Sequence, residues 1–415
     1  MRVLPVLATS MREILDLFWT SPIEMGSRVL VVGGGIAGLC LALALSKKGL
    51  PSVVFERNKF EDTTGTGIQL SPNATALLFE AGLKRLLLAR ARVSTEIVTR
   101  HWRTGRVTSR IPLGSIVEKH CATPYLQILR SELVDVLVNY VRDDRHVELR
   151  ENENVDSLDQ WETGASVSSN GAESKGCLVV GADGARSTIR GLIGQISDPP
   201  FSKWHAWRTT IRSESTDLVS KRTTVWCGPR SHVVTYPVDE HGQINCVFIT
   251  RSSNHLDETW SERGSLADLQ SCFVGWHKDV FELLDRVDQP KLFRWGLFRH
   301  DKLTGGWTRG RCTLIGDACH CVLPFLAQGA ALAIEDAFTL SNCLDEYPTD
   351  VSSALRDYEK MRLARTNSIQ RRSVRMGHVY HLPAPFSWLR DVSAKWATGE
   401  IVRNIYASEA SRIDS

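Results

Sequence analysis

The stretch that most constrains the fold is residues 28–56, RVLVVGGGIAGLCLALALSKKGLPSVVFE. Its opening apolar, β-branched run, Val29-Leu30-Val31-Val32, reads as a fully buried parallel strand. Gly33, Gly35 and Gly38 follow at G-x-G-x-x-G spacing. In that pattern the first glycine permits a sharp turn and the second lets the backbone close on a diphosphate. The third lets a helix sit tightly on the strand. Residues 36–48 have the length and composition of a helix, and Gly49 supplies its stop. Val53-Val54-Phe55 reads as a second strand with Glu56 at its carboxyl end. N–H groups at a helix N-terminus bind a diphosphate, and a carboxylate roughly 20 residues on accepts hydrogen bonds from a ribose diol. A glycine-rich turn of some other α/β protein explains the glycines, but not strand, helix and acid in register. The unit alone does not separate FAD from NAD.

At 415 residues the chain can bury a large core, as two domains or one elaborated one. Hydrophobic residues at 42% and charged residues at 23% are those of an ordinary globular protein. A net charge of +3 is too small to argue for nucleic acid or an acidic surface as partner. Ten cysteines lack framework spacing, which suits reduced thiols and a cytoplasmic location. Residues 1–27 precede the fold as an extension too short and too charged to span a membrane. A start at Met25 would also serve.

Beyond Glu56 the segment GTGIQLSPN, with Gly65 and Gly67, reads either as a βα loop or as a loop lying against a flat ring, which needs small residues. A helix is expected over 74–88. Another helical pattern covers 126–140, with Arg130 at its start and Ser131 as N-cap. Arg130 is a solvated end residue or a reach toward a phosphate. Residues 147–180 read as a small antiparallel meander with turns at Asn170-Gly171 and Lys175-Gly176. It runs into GADGARSTIR, a second strand–glycine–acid–helix site. From Trp204 to about residue 297 alternating runs (223–226, 232–237, 243–250) suggest a sheet with one covered face, rich in aromatics. The chain then returns to an apolar strand, 312–315, followed by GDACHCVLPFLAQGAALAIEDA and a helix over 331–344. Residues 350–403 read as helical and charged.

Three strand-to-glycine sites, at Gly33, Gly181 and Gly316, exceed what one NAD needs. GGGIAG, GADGARSTIR and GDACHCVLPFLAQGAALAIEDA in this order resemble the three motifs of the FAD-dependent aromatic hydroxylases, the single-component flavoprotein monooxygenases. The likeness is to the salicylate hydroxylase and 6-hydroxynicotinate 3-monooxygenase group, over residues 28–372. It implies an α/β fold: a Rossmann-like FAD-binding domain, an inserted mixed β-sheet substrate domain and C-terminal helices. The expected divisions are an extension (1–27), an FAD-binding part (28–200), a substrate part (201–300), a return (301–345) and a helical region (346–415). By the same resemblance Glu56 holds the adenosine ribose and Arg57 lies near the adenine. Gly67 sits beside the flavin, and Arg130 reaches the phosphates or ribityl chain. Asp183 serves FAD and the visiting nicotinamide, and Asp317 binds the ribityl hydroxyls. Gly329 and Ala330 offer N–H groups to the flavin pyrimidine edge, which is anionic when reduced and so favours a helix N-terminus.

The resemblance further implies that NADH or NADPH reduces the flavin and that molecular oxygen gives a C4a-hydroperoxide, which attacks an electron-rich ring. Arg208 matches a family arginine facing flavin and substrate; a strand-edge ion pair is its bland alternative. His232 and Tyr236 stand four apart on a strand, hence on one face. They match the H-x-x-x-Y arrangement near the substrate in the hydroxynicotinate type; a histidine can take a phenol proton and a tyrosine hydroxyl can relay it, and a structural histidine at a Tyr-Pro corner is the other reading. His320 reads as structural. Cys319-His320-Cys321 lacks a second ligand pair at zinc spacing, so no metal is expected. Cys321 stands where the family usually has proline. Oxidation or epoxidation of a larger secondary metabolite, and a flavoprotein-like binding module without turnover, remain as alternatives. No nucleic acid or membrane span is expected as partner, and a homodimer is left open.

Overall fold

The computed structural model describes residues 28–62, 66–114, 123–194, 198–212, 221–252, 261–300, 306–383 and 405–406. The N-terminal extension, Gly65 and most of the chain after residue 383 lie outside them. The buried strand Val29–Val32 is central to a six-stranded sheet. In order, its strands are Thr308–Arg309, Cys312–Leu314, Leu178–Gly181, Val29–Val32, Ser52–Glu56 and Val147–Glu151. All neighbours are parallel except the first pair. The strands ending at the three glycine sites are therefore adjacent, and their carboxyl ends open at one edge, where α/β sheets bind ligands. The helix Ile36–Lys47 packs against it with every residue from Ile36 to Leu45 buried. The helix Gly329–Glu346 lies on that helix.

An eight-stranded sheet forms the second layer. Its order is Ser261–Arg263, Phe293–Phe298, Phe201–Arg212, Gln243–Arg251, Ser231–Pro237, Arg222–Gly228, Glu96–His101 and Val107–Pro112. Two strands come from before residue 113 and join through a parallel pairing of Glu96–His101 with Arg222–Gly228. The sheet is covered on both faces, not one. Trp207, Ile211, Val233, Cys246 and Phe248 bury one face with Leu269, Phe273, Val280 and Leu284. The other face carries Trp204, Arg208, His232, Tyr236 and Asn245, by strand alternation and register. It meets the helix Val351–Tyr380 and a three-stranded sheet of Gly67–Leu70, Leu126–Leu129 and Arg92–Val93.

Local expectations met the structure unevenly. Helix 74–88 is broken: Pro72–Leu78 and Lys84–Arg90 flank a wide turn at Phe79–Leu83, where Gly82 has φ +98°. Residues 126–129 are strand, and the helix begins at Arg130 with Leu129 as cap, so Ser131 lies inside the first turn. Asn170-Gly171 is a hairpin turn, with both φ positive. Lys175-Gly176 is not a turn but the end of the strand Ala172–Gly176. Gly176 sits so close to Arg28 that a Cβ would meet its carbonyl at 2.4 Å. No helix among the described residues is long and apolar enough to cross a membrane.

Candidate active site

The first glycine turn is locked to the second motif. Gly33 has φ +110°, and a Cβ there would lie 2.5 Å from the Ala182 carbonyl and 2.8 Å from the Cα of Asp183. A Cβ on Gly38 would lie 2.0 Å from the Gly33 carbonyl, so helix and turn touch backbone to backbone. Gly316 of the third motif is wedged between Ala37 and Ala333. The expected convergence of the three segments is thus direct contact. Gly35 faces the opposite condition: the nearest atom to a Cβ there is an Arg130 guanidinium nitrogen at 3.7 Å. Open space likewise surrounds Gly184, and only Val322 approaches Gly329, at 3.9 Å.

Two helix N-termini border this space without a side-chain cap, at Ile36 and at Gly329. Ser187, Ser265, His277 and Asp350 cap four other helices, whereas those beginning at Pro72, Lys84 and Arg130 also lack a side-chain cap. Uncapped N–H groups need an external acceptor, and an anion is the natural one. At the strand end Glu56 accepts from the Gly34 N–H at 2.8 Å and the Asn58 N–H at 3.0 Å. That fixes its carboxylate at the groove with lone pairs to spare. Arg57 is exposed beside it.

Arg130, Arg208 and Asp317 form the charged floor. Asp317 and Arg130 are open to the groove, and Arg208 is half-buried. None makes a side-chain hydrogen bond to a described residue, and the Nε of Arg208 is buried without one. They nevertheless sit in one another's field. Burial pushes the Asp317 carboxyl up, with His320, Arg130 and Arg208 pulling it back. Burial lowers Arg130 against Asp317 and Glu56, and lowers Arg208 against Tyr236 and Asp317. Guanidinium groups stay protonated, so the floor carries charges whose side chains have no hydrogen-bond partner among the described residues.

The structure does not bring the Asp183 carboxylate to this floor. Its oxygens accept from Ser187 Oγ at 2.5 Å and from the Thr188 and Ile189 N–H groups at 2.7 and 3.1 Å. It closes the turn into the helix Thr188–Ile193. Gly67 also differs in kind from the expectation. The side on which it lacks a Cβ is filled by Asn245 and Tyr236, at 2.6 and 2.8 Å, rather than by space for a ring. The Gly67 N–H donates to Asn245 Oδ1 at 2.6 Å. Tyr236 lies beside Arg208 and Gln69, its phenol pushed up by burial. His232 shares that face but is tied into an aromatic cluster. Its Nδ1 lies 2.8 Å from His381 Nε2, with Phe325 and Tyr380 against its ring.

Several residues were invisible as site components in the sequence. Asp336 accepts from the Gly316 N–H at 2.8 Å, from His320 Nε2 at 2.5 Å and from Arg362 Nε at 2.7 Å. Glu335 accepts from Asn73 at 2.7 Å and pairs with Arg362 at 2.8 Å and Arg365 at 3.0 Å. This buried network ties the third motif to the Ser71-Pro72-Asn73 turn and the long helix. His320 is structural, as expected, but through a carboxylate. Cys321 donates to the Asp317 carbonyl at 3.3 Å. A Glu-Asp pair in an otherwise apolar helix was the one available signal.

The FAD binding domain family matches residues 27–373. The 3-amino-4-hydroxybenzoate 2-monooxygenase of Streptomyces platensis is 34% identical over 371 residues, covering 88% of this chain and 92% of that protein. The 6-hydroxynicotinate 3-monooxygenase of Pseudomonas fluorescens is 30% identical over 389 residues, covering 91% and 96%. Klebsiella pneumoniae HpxO, crystallised with FAD and uric acid, superposes with a TM-score of 0.81 at 23% identity, covering 91% of this chain and 95% of that one, and so shares the fold. Open glycines, uncapped helix ends and unpaired charges fit a dinucleotide of this kind. The chain belongs to the FAD-dependent aromatic hydroxylases, the single-component flavoprotein monooxygenases.

Proposed function

We propose that the chain hydroxylates a small aromatic acid, phenolic or N-heteroaromatic, using NADH or NADPH and molecular oxygen. One observation carries this reading: the charged side chains of Arg130, Arg208 and Asp317 converge on one groove and make no hydrogen bond to a described residue. FAD bound there supplies hydride acceptance and oxygen activation. Gly33, Gly35 and Gly38 would offer the turn and N–H groups for its diphosphate, and Glu56 a ribose acceptor, with Arg57 near the adenine. Arg130 would meet a phosphate, Asp317 the ribityl hydroxyls, and Gly329 and Ala330 the pyrimidine edge. The Asp183 side chain serves by holding its own turn. The nucleotide would thus sit on residues 28–200 and 301–345 and the guest on 201–300.

Arg208 would take the guest's carboxylate, since a buried guanidinium needs an anion. Tyr236, protonated throughout the working range, would donate to a ring oxygen. His232, held neutral by burial and by His381, is suited to accept a phenol proton. The relatives' named substrates, 3-amino-4-hydroxybenzoate and 6-hydroxynicotinate, are hydroxylated aromatic carboxylates that present these groups. The test is oxygen uptake with NADH or NADPH across hydroxybenzoates and hydroxynicotinates, with product mass. A product one oxygen heavier, formed in step with coenzyme oxidation, is the expected result. Coenzyme oxidation that no aromatic acid accelerates would remove the reading.

A further inference from the structure

We infer that His381 is a positioning residue for His232, fixing which nitrogen of that ring faces the aromatic guest and sharing the proton it takes up. The inference rests on His232 as the base of the reading above. His232 Nδ1 and His381 Nε2 are 2.8 Å apart, hydrogen-bond distance, so one hydrogen lies between them. His381 is itself held. Its ring stacks on Trp204 at 4.3 Å and 18°, and its backbone N–H donates to the Gly377 carbonyl at 3.3 Å, at the end of the helix Val351–Tyr380. The other nitrogen of His232, Nε2, bonds to no described residue and is not among the atoms sealed from water.

A neutral imidazole that accepts at Nε2 must carry its hydrogen on Nδ1. That tautomer donates to His381 Nε2, which fixes it as a carboxylate does for a metal-bound histidine. When a phenol proton passes to Nε2, its O–H bond breaks and an N–H bond forms. The Nδ1 hydrogen then crosses to His381 Nε2, leaving His232 neutral with hydrogen on Nε2, His381 as imidazolium and the ring oxygen as phenolate. A helix C-terminus favours that positive charge. The other groups facing the pair are Tyr380 on the same helix, Cys227 across the strand from His232 and Arg251 behind Trp204. Among the described residues no carboxylate acts on His232, so His381 has no rival in setting the tautomer.

Nitrogen NMR of the FAD-loaded full chain with labelled histidine reads the tautomer without turnover, the His232 signals being assigned by their loss in H232F. The wild type is expected to carry hydrogen on Nδ1. H381F keeps the stack but removes the acceptor, and should move the hydrogen to Nε2; H381Q, which keeps an acceptor, should hold it on Nδ1. A second reading is the phenolate absorbance of bound 4-hydroxy-3-nitrobenzoate, whose phenolate fraction should fall about tenfold in H381F. Hydrogen on Nε2 in the wild type, or hydrogen still on Nδ1 in H381F, overturns the inference. The expected tautomers together with a probe that never ionises would instead uphold His381 and reject His232 as the base.

Discussion

On the proposed reading, guest binding turns on Arg208. Its Nε is buried without a partner, and its charge stands beside Tyr236 and within reach of Asp317. A hydrogen bond to a charged group is worth about 1.5–3 kcal/mol. R208M is therefore expected to weaken aromatic-acid binding about 10–100-fold, read by flavin fluorescence titration, with FAD content unchanged. Loss of FAD in R208M would place the arginine on the cofactor instead. Gly67 makes a different claim. With Asn245 at 2.6 Å and Tyr236 at 2.8 Å from an added Cβ, G67A should cost about 1–3 kcal/mol by overpacking, measured by urea unfolding. Sequence marked both positions, but for Gly67 it did not show that Asn245 and Tyr236 fill the Cβ direction. A glycine's need for space is legible from spacing; which group fills the space is decided by a strand more than a hundred residues away. For Asp183 sequence did not show the bonds to Ser187, Thr188 and Ile189, because an acid after a glycine suits a ribose and a helix cap equally.

At the scale of elements, the strand–turn–helix units were readable because their signals are local: apolar runs, glycine spacing and a terminal acid within one short stretch. Strands Glu96–His101 and Val107–Pro112 were not, since only their pairing with Arg222–Gly228 makes them part of the large sheet. The same holds for the link between the third motif and the long helix, where Asp336 meets His320, Arg362 and the Gly316 N–H. Charges in a long helix read as solvated until the partner helix is known. Replacing Asp336 leaves the buried His320 imidazole without its carboxylate and Arg362 with Glu335 as its one remaining carboxylate among the described residues. D336N should cost about 3–5 kcal/mol, measured by urea unfolding, and should loosen FAD through the Gly316 turn. A variant as stable as the wild type would show that the network does not hold the motif.

For the whole molecule, this network sets a pH window. Burial alone would raise the Asp336 carboxyl, but His320 and Arg362 outweigh it and hold it at about 2, against an ordinary 3.8. A depressed carboxylate stabilises the fold above its unfolded value, and that stability drains as pH falls through the folded one. The His320 imidazole is raised by Asp336 against the effect of burial. Its share is present in full below the ordinary 6.5 and is lost as pH climbs through the raised value. The thermal midpoint should therefore fall between pH 3.8 and about 2, and the fall should be shallower in D336N. An equal acid limb in both proteins would assign acid unfolding to other carboxylates. The wider proposal is architectural: three glycine segments grip one FAD, and the face bearing Arg208 and Tyr236 holds an aromatic acid against it. The rate of flavin reduction by NADH or NADPH, followed by loss of flavin absorbance with and without each aromatic acid, tests it most directly. A yellow protein is expected, its reduction accelerated by at least one hydroxylated aromatic carboxylate and the acceleration lost in R208M. A colourless protein, or a reduction rate indifferent to every such acid, would contradict it.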